Sequence, residues 1–139
     1  MEELHAAIAA HLRRQDAETP LRQRVDHGYG RVREVAIYAR SATMTHADQA
    51  ALEGQIAACR ASATRQGLLR VAIYQEVIGG DTLDRPRLAA LRAAIAHGWI
   101  GTVLVTTPDR LTRDPLLFEL LRAEWAMLGV AIVAVMEAQ

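Results

Sequence analysis

The stretch Val35-Ala-Ile-Tyr-Ala-Arg-Ser-Ala-Thr43 begins as an apolar run and ends in small, hydroxyl-bearing residues around one arginine. An apolar run of this length, bounded by a polar loop, is typical of a buried strand. Because side chains alternate across a strand, Tyr38, Arg40 and Ala42 are expected on one face and Ser41 on the other. An arginine at the end of such a strand can hold a phosphate, and residue 42 would then be placed to attack it. Alanine has no atom that can attack.

Downstream of this strand, apolar runs alternate with helical patterns. Asp48 and Asp84 are predicted as N-caps of the first two helices, and Asp114 and Pro115 are predicted to open the third. Gly67, Gly98 and Gly129 are predicted at the C-terminal ends of the three helices. The alternation predicts an α/β fold, in which a mainly parallel sheet of about four strands carries helices on both faces. The strands are predicted at about 34–40, 68–75, 102–106 and 130–135, and the helices at about 49–66, 86–97 and 115–128.

The first 33 residues have a different pattern. Leu4, Ile8 and Leu12 are spaced four apart, which predicts an amphipathic helix over residues 1–16. A polar stretch that contains two glycines follows and is interpreted as a linker or an arm. We therefore divide the chain into a segment 1–33 and a domain 34–139.

Composition limits the classes of function. The 139 residues suffice for one domain, and the formal net charge is zero. Nucleic-acid binders usually carry a basic excess, so any strong binding to DNA is expected to come from a local patch, a partner or a missing segment. The single cysteine, Cys59, excludes an internal disulfide and is compatible with a reducing cytoplasm. No run of apolar residues reaches the length of a membrane span, so a cytoplasmic protein is expected.

Charged residues follow three of the predicted strands. In open α/β sheets, ligands bind off the carboxyl ends of the strands. Those ends here would bring together one aspartate and four arginines: Arg40, Arg85, Asp109, Arg110 and Arg113. Each arginine also has a simpler interpretation as a surface charge, but together they indicate an anionic ligand. The sequence has no metal-ligand spacing, Walker loop or dinucleotide motif, so metal-free attack by a hydroxyl group is expected, without a cofactor.

Four separated motifs resemble the serine recombinases of the resolvase/invertase type, and especially the large serine recombinases. They cover about residues 33–137 and occur in the family's order. The first motif is the strand Val35–Thr43, and the second is the helix Leu52–Cys59, with Gln55 at the family's active-site glutamine. The third is Thr82–Leu88, which resembles the family's mobile-loop segment and has its arginine at Arg85. The fourth is Asp109-Arg-Leu-Thr-Arg113, which matches D-R-L-x-R.

The resemblance implies a flavodoxin-like catalytic domain at 34–139 that stops before the family's long dimerisation helix. It implies a serine that attacks a DNA phosphodiester, a 5′-phosphoserine link, and religation within a tetramer built from dimers, with no cofactor. It assigns phosphate contacts to the four arginines. The catalytic residues that it implies are Arg40, Ser41 or Ala42, Gln55, Arg85, Asp109, Arg110 and Arg113.

The chain departs from the family at the nucleophile, because the family's serine matches Ala42. Three explanations remain open: an engineered knockout, a natural loss, or a bulge that lets Ser41 attack. Gln75 and Val77 also replace a usual aspartate and glycine, and Gly79 replaces a common serine.

Three hypotheses about function follow. The first is a recombinase catalytic domain that acts on DNA, whether active or disabled. The second is a non-catalytic recombinase-like protein that associates with an active recombinase and regulates it. The third is a generic signalling or nucleotide-binding domain, which the missing acidic cluster and glycine-rich loop disfavour.

Overall fold

The computed structural model describes residues 33–79 and 84–136, so the helix predicted for residues 1–16 lies outside the described residues. Within these described residues, four strands alternate with three helices and one short 3-10 turn. The elements in chain order are β1 (Glu34–Ser41), α1 (His46–Arg65), β2 (Val71–Val77), α2 (Pro86–Ala96), β3 (Ile100–Val105), the 3-10 turn (Pro108–Arg110), α3 (Pro115–Ala126) and β4 (Ala131–Ala134).

The sheet is parallel throughout and has the strand order β2-β1-β3-β4. The predicted α/β fold is therefore confirmed, and the order is the flavodoxin-like one. The chain first moves from β1 to β2 and then crosses back to β3, so the winding direction reverses between β1 and β3. Ligands of such sheets bind at this reversal, beyond the carboxyl ends of the strands.

Strand β1 lies in the middle of the sheet, and its residues Val35 to Ser41 are all buried. Side chains at odd positions, Val35 and Ile37, pack with Cys59 and Ala63 of α1. Side chains at even positions, including Tyr38, belong to the larger cluster that α2 and α3 form on the other face. A buried central strand that is covered on both sides explains the continuous apolar run in the sequence.

The prediction that Asp48 caps α1 is wrong. The N-cap is Thr45, whose hydroxyl accepts a hydrogen bond from the Asp48 amide at 3.1 Å. The Asp48 carboxylate instead accepts a bond from the amide of Thr43 at 3.1 Å and closes the loop before the helix. Thr and Asp are both good capping residues, so the sequence did not distinguish two candidates three positions apart.

The prediction that Asp84 caps α2 is also wrong. The N-cap is Arg85, which makes no capping bond through its side chain, and Pro86 is the first helical residue. The amides of the first turn are satisfied from outside the helix, by a carboxylate on β2. The third helix follows the sequence prediction, because Asp114 caps it and accepts a bond from the Leu116 amide at 2.9 Å.

Strand β2 begins three residues later than predicted. The amide of Leu68 donates to the carbonyl of Ala63 at 2.9 Å, and Gly67 has a φ of +72°. These features close the end of α1, so residues 68–70 reverse the chain instead of extending the strand. At the other end β2 continues to Val77, opposite Ser41 of β1.

Candidate functional site

Arg40 lies next to the carboxyl end of β1 and is only 2% exposed. Its guanidinium donates to three backbone carbonyls: Nε to Arg110 at 3.0 Å, Nη1 to Ile78 at 3.0 Å and Nη2 to Asp109 at 2.8 Å. Arg40 therefore ties the loops that follow β2 and β3 to the central strand. A guanidinium has five N–H groups, and bonds within the described residues engage three of those of Arg40.

Gln55 fixes the backbone of the same arginine. It lies on the buried side of α1, where its Oε1 accepts from the Arg40 amide at 3.1 Å and its Nε2 donates to the Arg40 carbonyl at 3.0 Å. A glutamine on a helix is usually solvated, and only the resemblance pointed to this one. The structure brings Gln55 to the site, where it holds the strand end in place.

Arg85 comes from the start of α2 and is 1% exposed. Its Nη1 donates to the Tyr38 hydroxyl at 3.2 Å, its Nη2 donates to the carbonyl of Leu111, and its guanidinium carbon lies 5.6 Å from the Tyr38 ring centre. Its Nε is buried and has no partner among the described residues. Arg85 therefore reaches the same loop as Arg40 and retains an unsatisfied donor.

Glu76 is a site residue to which the sequence assigned no role. Its carboxylate accepts from the Tyr38 hydroxyl at 2.5 Å and from the amides of Arg87 and Leu88 at 3.1 and 3.2 Å. This is the carboxylate that satisfies the start of α2. The available signal was its position at the end of the second parallel strand, where it pairs in register with Arg40.

Tyr38 is held as a neutral hydrogen-bond donor. Burial raises the pKa of its phenol, and the bond to the Glu76 carboxylate raises this pKa further, whereas the positive charge of Arg85 partly opposes the rise. The phenol therefore stays protonated near neutral pH and links Glu76 to Arg85.

Arg110 and Arg113 follow β3 in the loop that contains the 3-10 turn. Arg110 is half-buried and donates through Nη1 to the Arg40 carbonyl at 3.5 Å, while its Nε is buried without a partner among the described residues. Arg113 is exposed. The Asp109 carboxylate accepts from the hydroxyl of Thr107, so it shapes the loop.

The four arginines form a positive cluster, which we call the arginine cluster (Arg40, Arg85, Arg110 and Arg113). Burial lowers the pKa of Arg40, and the charges of its three neighbours lower it further. Among residues 33–79 and 84–136, the ion pairs are Arg92–Glu124 and Arg122–Glu119, and neither pair involves a member of the cluster. Buried positive charge without a carboxylate partner, together with unsatisfied N–H donors, is suited to binding an anion such as a phosphate.

The hydroxyl groups near the cluster are engaged elsewhere. Ser41 is the last residue of β1, is buried, and donates through Oγ to the carbonyl of Thr43 at 3.2 Å. By strand alternation its side chain belongs to the α1 face. Ala42 is exposed and follows the last residue of β1. The alternation of side chains along β1 therefore ends at Ser41 and does not place Ala42 on the face of Arg40, where we expected it. The Thr43 hydroxyl donates to Asp48.

In the part of the chain that the structure describes, no three His, Cys, Asp or Glu residues are grouped as metal ligands. Across the same residues no helix is both long and apolar enough to cross a membrane.

Known proteins resemble this chain in sequence and in fold. A putative DNA recombinase of Bacillus subtilis (strain 168) is 36% identical over 80 residues, which are 57% of this chain and 16% of that protein. The chain thus spans only a small part of this curated relative.

Solved structures show the same likeness. The C-terminal catalytic domain of ISC1926 TnpA, an IS607-like serine recombinase, is 28% identical with a TM-score of 0.69, and the match covers 76% of this chain and 69% of that one. The N-terminal catalytic domain of TP901-1 integrase is 26% identical with a TM-score of 0.70, covering 76% and 80%. The family model of the resolvase N-terminal domain matches residues 35–139. With that match over most of its length, the chain belongs to the resolvase N-terminal domain family, the catalytic domain of serine recombinases.

Proposed function

We propose that this domain holds one DNA phosphodiester in the arginine cluster, as the catalytic domain of a site-specific recombinase. The observation that carries the proposal is the gathering of four arginines, without an ion-paired carboxylate among the described residues, at the carboxyl end of β1. The position agrees with the general rule that ligands of such sheets bind where the winding reverses.

The cluster would act by electrostatic stabilisation. Arg40 and Arg85 are buried and are held by carbonyl groups, so their charges are oriented before a ligand arrives. Such preorganised donors stabilise the negative charge that builds on the phosphate oxygens in the transition state. The exposed Arg113 would make the outer contact with the DNA backbone.

As it stands, the chain would bind the phosphodiester without cleaving it. Ala42 carries no hydroxyl, and the buried Ser41 directs its own hydroxyl to a backbone carbonyl. In Ala42→Ser the new oxygen would attack phosphorus and lose its proton, and the bond from phosphorus to the DNA 3′-oxygen would break. The products would be a 5′-phosphoserine link and a free 3′-hydroxyl.

DNA binding by single-charge variants tests the phosphate contact. Arg113→Gln should weaken binding of a labelled duplex at low salt about tenfold or more, because it removes a charge-assisted hydrogen bond. It should also reduce the slope of log K against log salt by about one. Arg60→Gln is the matched control, since Arg60 is exposed on α1 and outside the cluster. Equal effects of the two variants on fluorescence anisotropy would mean that the cluster does not hold DNA.

A second candidate function is regulation of an active recombinase. It is favoured because the arginine cluster is kept while alanine occupies position 42. Here the chain would join an active recombinase in a mixed oligomer and lower its activity. The Ala42→Ser protein can serve as the active partner. If the unaltered chain regulates in a mixed oligomer, adding it at saturating DNA, where competition for the DNA is negligible, should still reduce the yield of covalent adduct. An unchanged yield would leave only the first candidate.

A further inference from the structure

Helix α3 is apolar on two sides. Leu121 and Trp125 are buried against the sheet. Leu116, Leu120 and Met127 point away from it and are 67%, 56% and 89% exposed. A helix that packs only against its own sheet needs one apolar side, so the second side requires another explanation.

The exposed side forms a continuous surface, which we call the outer stripe (Leu116, Leu120, Ala123 and Met127). At about 100° per residue, these four positions fall within an arc of roughly 60°. They extend over about 17 Å, because an α-helix rises about 1.5 Å per residue. The exposed ion pair Glu119–Arg122 belongs to the same helix, so charged groups border the outer stripe.

The side chain of Arg33 contacts the turn that follows the outer stripe. Arg33, the first described residue, donates through Nη1 to the carbonyls of Leu128 and Gly129 at 3.3 and 3.5 Å. Its aliphatic stem lies against Gly101, where an added Cβ would be only 3.0 Å from the Arg33 Cβ. The Arg33 side chain therefore reaches the turn that follows Met127, while its Cβ lies beside Gly101 of β3.

We propose that residues 1–16 form an amphipathic helix that packs on the outer stripe of the same molecule. Leu4, Ile8 and Leu12 recur every four residues and would give that helix one apolar side. A helix of 16 residues is about 24 Å long, which is enough to cover the stripe.

The segment between the proposed helix and Arg33 is long enough for the helix to reach the outer stripe. Residues 17–32 can extend over roughly 50 Å, so they allow the helix to fold back along α3 from Arg33. A short tether of this kind gives an effective concentration on the order of millimolar, which favours docking within one chain over pairing of two copies.

Disulfide trapping in the full chain tests the docking. In a Cys59→Ala background, Ile8→Cys is combined in turn with Leu116→Cys, Leu120→Cys and Met127→Cys. Leu116, Leu120 and Met127 are exposed, so their replacement leaves the buried clusters unchanged, and the Cys59→Ala protein is the reference for the one buried position that is altered. The matched control replaces Ile8→Cys by Ala10→Cys, which lies about 200° around the predicted helix.

A disulfide at monomer mass in one of the Ile8 pairs, forming at least tenfold faster than in the Ala10 control, is the expected result. Disulfide-linked dimers would show that a second copy covers the stripe and would overturn the proposal. Equal rates for the Ile8 and Ala10 series would show that the segment is held near the outer stripe but packs no particular side against it. The absence of any disulfide would show that the segment does not contact the outer stripe. Either outcome would also overturn the proposal.

Discussion

At the scale of single residues, Gln55 and Arg40 show how the site is held. The Gln55 amide satisfies both the N–H and the C=O of Arg40, which lies near the end of β1. Helical periodicity could not identify this role, because the bond depends on how α1 crosses β1. The resemblance to a family selected Gln55, and the structure supplies the physical reason.

Gln55→Ala should lower the free energy of unfolding by about 1–3 kcal/mol, because it leaves buried backbone groups of Arg40 without partners. Urea unfolding followed by circular dichroism measures this. Gln49→Ala is the matched control, since Gln49 makes a single bond from the exposed side of the same helix, to the carbonyl of Met44. Equal losses in the two variants would contradict the structural role of Gln55.

The Tyr38 phenol should make stability depend on alkaline pH. Its pKa in the folded protein is raised above the ordinary value of 10.0, so its contribution is complete below pH 10 and is lost as the pH rises further. Tyr38→Phe should therefore be less stable than the parent at pH 8, and this difference should shrink at pH 11. A difference in unfolding free energy that stays constant between the two pH values would contradict the raised pKa.

At the scale of elements, the order of strands and helices was predictable from apolar periodicity, whereas several of their ends were not. The misplaced caps at Asp48 and Asp84 have different causes. The neighbouring residue Thr45 caps α1, whereas a residue distant in sequence satisfies the first amides of α2. For α2 the partner is Glu76 on β2, which local sequence rules do not consider. Where the cap is local, as at Asp114, the prediction was confirmed.

Glu76→Ala should destabilise the fold by about 3 kcal/mol, because it removes the acceptor of two α2 amides and of the buried Tyr38 hydroxyl. The comparison is Glu53→Ala, in which an exposed glutamate of α1 is removed with the same change in charge. Urea denaturation of both variants gives the two values. A loss below about 0.5 kcal/mol in Glu76→Ala, the range of ordinary surface substitutions, would contradict its role as an external cap.

At the scale of the whole molecule, a net charge of zero conceals a strongly uneven distribution. Four of the sixteen basic residues gather at one edge of the sheet, where the Glu76 carboxylate caps α2 and the Asp109 carboxylate accepts a bond from the Thr107 hydroxyl. The sequence predicted this gathering, since the carboxyl ends of parallel strands meet at one edge. It did not predict that Arg40 and Arg85 would be buried and bonded to carbonyls, which depends on the loop conformations.

The thiol of Cys59 should report unfolding of the whole domain. Burial raises its pKa to about 11, so alkylation at pH 8 should be slow in the native protein and should follow the unfolded fraction in urea. A control with Arg60→Cys places a second thiol on the exposed side of α1, where it should react at once. Rapid alkylation of Cys59 in the native protein would contradict its burial.

We propose that the arginine cluster is complete and lacks only a nucleophile. The most direct test is a covalent-adduct assay on nicked duplexes from the DNA around the gene, with the unaltered chain, Ala42→Ser and Ser41→Ala. A protein–DNA adduct that forms only with Ala42→Ser is the predicted result. An adduct with the unaltered chain that disappears in Ser41→Ala would contradict the claim, because Ser41 would then be the nucleophile.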